Sequence, residues 1–210
     1  VHTGTDGKLR LILPNSDVIN IGPSSSIVVS VEMEAAGKTK SVDLDVLYGK
    51  LRAVAQKEEK EKKNFKVKTS AAVMGVRGTD FSTSFNPAEG RVNLSVLRGE
   101  VEMKPTQAKV ESVQVKPGTT AVLQLNPELL KSDKENIKIE KPKIEIKETS
   151  QETLVEIQKA SSIRMDEKAL SELPKKVKEE VILSEQKAKD KTLNTIKIED
   201  PKLYKKLILT

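Results

Sequence analysis

Between Thr79 and Val96 the apolar character of the chain switches at every second residue, on both sides of one short turn. Thr79, Phe81, Thr83 and Phe85 alternate with Asp80, Ser82 and Ser84, and Val92, Leu94 and Val96 alternate with Arg91, Asn93 and Ser95. A period of two puts all residues of one kind on one face of an extended strand, whereas a helix would mix them. Asn86-Pro87-Ala88-Glu89-Gly90 between the two runs has the length and chemistry of a hairpin loop. The stretch therefore reads as a β-hairpin with Phe81 and Phe85 on its core face.

The rest of the first 126 residues follows the same rule. Lys8–Leu13 alternates and stops at the turn Pro14-Asn15-Ser16-Asp17. Val18–Ile21, Ile27–Met33, Lys40–Tyr48 and Lys50–Val54 are further strands, the last two meeting at Gly49. Short strands separated by regular turn signals predict an antiparallel β roll or sandwich. Gly7-Lys8-Leu9-Arg10-Leu11, Gly49-Lys50-Leu51-Arg52-Ala53 and Gly99-Glu100-Val101-Glu102-Met103 repeat one pattern of glycine, charge, aliphatic, charge, aliphatic. In that pattern the glycine lets the chain turn where a Cβ would clash. The echo adds a solenoid-like character to the expected fold. The mixed-charge run Lys57–Lys63 is expected to be a solvated loop or hairpin tip, with docking of a partner as the alternative.

After Leu125 the pattern changes. Residues 127–149, rich in charge and isoleucine around Pro142, are expected to be a linker or an edge segment. From Ser150 the period is helical: Ser150 can cap, and Leu154, Ile157 and Ser161 share one side. Asp166, Pro174 and Asp200-Pro201 mark further helix starts. The expected organisation is thus a β domain over 1–126, the segment 127–149, and a charge-rich helical C-terminal extension over 150–210. The extension carries too few apolar residues to form a bundle of its own.

Composition removes several functions. Lys and Arg number 37 against 31 Asp and Glu, and the signs are interleaved, so the net charge of +6 forms no basic patch of its own. Aromatic residues are 2% of the chain, too few for base stacking, and nucleic-acid binding is not expected. Without cysteine there are no disulfides, thiolate metal sites or thiol nucleophiles. His2, the one imidazole, lies at the terminus, and no nucleophile, base and acid assemble around it. Asp43, Asp45 and Asp80 stand at alternating strand positions and do not form a calcium loop, so no metal is expected. Arg77-Gly78-Thr79 lacks the glycine-rich strand-to-helix loop of a phosphate grip. Its expected role is structural, with Gly78 at a special backbone angle, Thr79 starting the strand and Arg77 pairing with a carboxylate or carbonyl.

Thr69-Ser70-Ala71-Ala72-Val73-Met74-Gly75-Val76-Arg77-Gly78-Thr79-Asp80-Phe81, followed by Val96-Leu97-Arg98-Gly99-Glu100-Val101, resembles the FecR domain family. That family has an apolar strand, a V-R-G-T-x-F turn and a V-x-x-G-x-V segment further on, often with proline where this chain has Ser70. The likeness extends upstream through Asp6–Leu11 and Pro23–Ser26 and downstream to Val115–Gly118. It makes Gly75, Arg77, Gly78, Thr79, Phe81 and Gly99 the structural motif. The resemblance implies a non-enzymatic bacterial protein, exported to the periplasm or cell envelope, without a cofactor and with a protein partner. Its best-known members are membrane-anchored sigma-factor regulators. The cytoplasmic and membrane segments of such regulators are not in this chain, so membrane association would need a segment absent from it. The favoured expectation is an interaction or scaffold module, with the sensing part of an anti-sigma regulator as the alternative and a glycan-binding module third. Partner contacts are expected on a strand edge near Arg91–Val101, through Arg91, Asn93 and Arg98, or at the charged tip, through Glu58, Lys60 and Lys62.

Overall fold

The computed structural model describes residues 1–34, 39–56, 64–106, 110–127 and 143–161. Within them lie thirteen strands and one helix. The strands are β1 (His2–Thr3), β2 (Leu9–Ile12), β3 (Val18–Ile21), β4 (Ser25–Met33), β5 (Thr39–Val54), β6 (Asn64–Lys68) and β7 (Ala72–Val76). Then come β8 (Asp80–Asn86), β9 (Arg91–Arg98), β10 (Val101–Pro105), β11 (Val113–Val115), β12 (Thr119–Gln124), β13 (Lys143–Glu148) and the helix α1 (Gln151–Ser161). Val1–Ser161 is one compact unit, and Ser162–Thr210 is a second. The charged tip with Glu58, Lys60 and Lys62, and the helix starts at Asp166, Pro174 and Asp200-Pro201, lie outside the described residues.

The chain is mainly β, as the alternation predicts, and one strand holds its two sheets together. The N-terminal half of β5 pairs with β4 and β6, in a sheet ordered β1-β4-β5-β6-β7-β10-β11. Its C-terminal half pairs with β3 and β8, in a sheet ordered β2-β3-β5-β8-β9-β12-β13. The two strands expected to meet at Gly49 are therefore one strand of 16 residues that passes from sheet to sheet. Every pairing is antiparallel except β5 with β6, which runs parallel.

Inward residues of both sheets make one core. Val42, Leu44, Met74 and Met103 come from the first sheet, and Ile19, Leu51, Phe81 and Leu94 from the second, all 2% exposed or less. Phe65 and Phe81 meet edge to face across the layers, with centroids 6.3 Å apart and an interplanar angle of 88°. Such a pair contributes about 0.5–1.5 kcal/mol beyond its buried area. The hairpin of β8 and β9 is formed as the alternation requires. The Ala88 N–H donates to Asn86 Oδ1 (3.1 Å) in its turn, and Phe81, Phe85, Val92, Leu94 and Val96 all point inward.

Candidate functional site

The chain leaves β7 at Val76, crosses Arg77 and Gly78, and enters β8 after Thr79. Gly78 (φ 62°) and Gly99 (φ 72°) are both left-handed and lie against each other. A Cβ on Gly99 would stand 2.7 Å from Thr79 Cγ2 and 2.9 Å from the Gly78 carbonyl oxygen. The two glycines let the turns on either side of the β8–β9 hairpin nest together. Thr79 is fully buried beneath them, its carbonyl accepting from the Ala55 N–H at 2.8 Å and its hydroxyl lacking a partner. Gly75 differs: its φ is ordinary and nothing lies within 4 Å of a Cβ placed there. Gly99→Ala is expected to cost about 2–3 kcal/mol and Gly75→Ala less than about 0.5 kcal/mol, read as urea midpoints with unchanged slopes.

The charged chemistry of this region is held by residues other than those the motif suggests. Arg77 is exposed and makes no side-chain hydrogen bond or ion pair among the described residues, contrary to its expected pairing. The buried ion pair is Arg52 with Asp80. Arg52 Nε donates to Asp80 Oδ1 (2.9 Å) and Nη2 to Oδ2 (2.8 Å), a bidentate geometry. Asp80 stands on the outer face that the alternation gives it, beside Ser82, yet is 0% exposed, paired there with Arg52 of the neighbouring strand; the β8–β9 register shifts between Asp80 and Phe81. Arg98 stands opposite Asp80 in that register, half-buried, with its Nε buried and unpartnered.

On the outer face of the second sheet, a polar residue occupies the same level of seven strands. Arg10, Asn20, Arg52, Ser82, Ser95, Thr120 and Lys147 follow one another in register from β2 to β13. Arg10 Nε donates to Asn20 Oδ1 (2.7 Å), and hydroxyl contacts join Ser95 to Thr120 (2.8 Å) and Thr120 to Thr149 (2.9 Å). The helix α1 lies on this face. The Thr153 N–H donates to Ser150 Oγ (3.2 Å) as an N-cap, and Leu154, Ile157 and Ser161 turn inward, as their spacing predicts.

The C-terminal end of α1 is held by cations. Lys8 Nζ donates to the Lys159 carbonyl, Arg10 Nη2 to the Ser161 carbonyl (3.0 Å) and Arg52 Nη1 to Ser161 Oγ (3.1 Å). Positive groups at helix carbonyls complement the dipole. No periodicity announces this site, because its members come from strands far apart in sequence. Arg10→Ala is expected to speed amide exchange in the last turn of α1 about tenfold and leave the sheet amides unchanged. Salt of about 1 M should act in the same direction, since it screens charges beyond about 3 Å.

Residues 1–102 match the family model described as FecR protein. This part of the chain is FecR-type. The match ends within β10, so β11, β12, β13 and α1 lie beyond it. No curated protein matches the sequence. Two crystal structures of a protein from Parabacteroides distasonis ATCC 8503, described as a "putative anti-sigma factor", share the fold. Both are 16% identical to this chain, with TM-scores of 0.50 and 0.51. Each similarity covers 70% of this chain and 58% of the other, so the chain spans less than two thirds of that protein.

Within the FecR-type segment, β9 lies between β8 and β12 and is paired along both sides. Its main chain therefore offers no edge near Arg91–Val101, which corrects the expectation of strand addition there. Its side chains remain accessible. Arg91 and Asn93 line an open groove of about 460 Å³ that also takes in Tyr48, Lys50, Asn86 and the Pro23-Ser24 turn. Arg91 is exposed, with Nε donating to Gln124 Oε1 (3.2 Å), and Asn93 Nδ2 donates to Ser84 Oγ (3.1 Å). Arg98 is not among the groove's lining residues. No cluster of three metal-ligating side chains occurs among the described residues, and none of their helices is long and apolar enough to cross a membrane.

Proposed function

We propose that this chain is the extracytoplasmic part of a FecR-type regulator, a non-catalytic domain that works by protein contact in the bacterial cell envelope. The family match over residues 1–102 carries the reading. The geometry agrees with it. The buried charges Arg52 and Asp80 are spent on each other, while Tyr48, Lys50, Arg91 and Asn93 are presented along one open groove. A surface of that kind, polar with a single aromatic anchor, suits a protein partner better than a reaction. Its few aromatic side chains argue against stacking on sugar rings. The groove is accordingly the proposed partner site, with Arg91 and Asn93 as contacts.

A photocrosslinking residue placed at Arg91 or Tyr48, used in cells that express the native protein, tests the proposal. Adducts with an outer-membrane transporter, in a complex that also holds a sigma factor, are the expected result. Adducts with envelope structural proteins alone would replace the regulator with a scaffold. A reporter that crosslinks no protein at either position would overturn the groove as a partner site.

A further inference from the structure

The helix α1 covers the second sheet without joining the core. Leu154 and Ile157 are 2% and 7% exposed, yet neither belongs to the cluster that the inward residues of the two sheets form. They turn instead onto the outer polar row, whose groups find partners within the sheet. Ser82 Oγ donates to the Leu51 carbonyl (3.0 Å), and Ser95, Thr120 and Thr149 share hydroxyl contacts. Asn20 accepts from Arg10, and Asp80 beside the row accepts from Arg52. A polar cleft of about 220 Å³ remains between helix and sheet, lined by Ser82, Ser95, Thr120, Thr153 and Glu156 with Ile157. Two layers parted by such a cleft give up much of the contact that holds a close-packed interior together.

The helix is hinged at one end and caught at the other. The Thr149 N–H donates to the Gly118 carbonyl (2.9 Å) and its hydroxyl meets Thr120, so the chain is fixed up to the N-cap Ser150. At the far end the catch is Arg52. Its Nη1 holds Ser161 Oγ while Nε and Nη2 stay on Asp80, so the guanidinium keeps its counter-ion when the helix leaves. Arg10 likewise keeps Asn20. Eleven residues are too few for a helix that stands alone in water, so α1 unwinds when it leaves the sheet.

Lys50, Ser84 and Asn93 line both this cleft and the open groove. We propose that α1 is a latch beside the groove, which opens as one unit while both sheets stay folded, and so extends the groove over Ser82, Ser95 and Thr120. The latch stands on the contacts of α1; that its opening widens a partner site rests on the reading of the groove given above.

Native-state hydrogen exchange of the full chain in low urea, without a partner, tests the latch. The amides from Leu154 to Ser161 are expected to exchange through one shared opening of small urea dependence, well before those of β3, β5 and β8, which should follow global unfolding. Ile157→Ala is expected to raise that opening about tenfold or more and Ser161→Ala about threefold or more, with the urea midpoint of the sheets unchanged. Helix amides that exchange only together with the sheets would overturn the latch, as would a midpoint lowered by Ile157→Ala as far as by a core truncation. Rates graded from Ser161 back to a protected first turn would also overturn it, since they describe a frayed end. The groove is tested separately, with a photocrosslinking residue at Arg91: Ser161→Ala should raise the adduct yield about threefold, as it raises the opening. An unchanged yield from a helix shown to open would overturn the link between latch and groove. No adduct from either protein would overturn the partner site, and with it the widening, but not the latch.

Discussion

Gly49→Ala is expected to cost about 4 kcal/mol or more and to lower the urea midpoint sharply. Gly49 sits where β5 passes from one sheet to the other, at φ 100°. An alanine there would be strained by its backbone alone, and its Cβ would overlap Cα, Cβ and Oγ of Ser25. Ser25 cannot step aside. It is 0% exposed, its N–H donates to Thr3 Oγ1 (3.0 Å), and its Oγ donates to the Pro23 carbonyl and accepts from the Lys50 N–H, each at 3.0 Å. Relief would require moving β4 away from β5 or untwisting the crossing, and both open the core. Against a total stability of about 5–15 kcal/mol, that loss is a large share. Urea unfolding of the variant checks it, and a midpoint within error of the parent would show that the crossing can relax.

Asp80→Ala is expected to destabilise by about 3 kcal/mol through the guanidinium it strands. The Arg52 side chain is 18% exposed and the Asp80 side chain 0%. Burial pushes the Arg52 pKa down, but the neighbouring Asp80 charge and its two hydrogen bonds more than offset this, and the net shift is upward. Arg52 therefore stays cationic at every pH where the protein folds, and without Asp80 a buried charge loses its counter-ion. A basic group with a raised pKa loses its stabilising contribution only as pH climbs past that value. Alkaline titration to about pH 10 should thus leave the pair intact. Arg52→Ala combined with Asp80→Ala should cost less than the two single changes added together, by about 2 kcal/mol or more. Additive losses would mean that the pair contributes nothing as a pair. Arg52 also donates to Ser161 Oγ, so both Arg52 variants should loosen α1, which Asp80→Ala alone should do less.

What could be read from the sequence is what depends on neighbours along the chain. The alternation of Phe81, Thr83 and Phe85 and of Val92, Leu94 and Val96 is local, and so is the turn chemistry of Asn86–Gly90. Ser150 as a cap, with Leu154, Ile157 and Ser161 on one face, needs only the helical period. The features that escaped are set by strands far apart. Asp80 looks wet because its neighbours Ser82 and Ser84 point outward, and nothing local reveals that Arg52 of another strand pairs with it on that face and leaves it 0% exposed. Arg77 looked like the pairing arginine because it adjoins the motif, while the arginine that pairs stands on another strand. Arg91–Val101 looked like an edge because strand order is not written in periodicity. The polar row from Arg10 to Lys147 appears only once the strands are laid side by side.

The order of the strands also sets how the chain reaches its fold. Hairpins such as β8–β9 and β6–β7 join residues close in sequence and can close within microseconds. β5 cannot be completed that way. Apart from β4, its partners are β3, β6 and β8, and each contact closes a loop over intervening strands or the charged run after Val54. Topologies dominated by such distant pairings fold in milliseconds to seconds. Until β5 is seated, the early hairpins have no common partner on which to build one core.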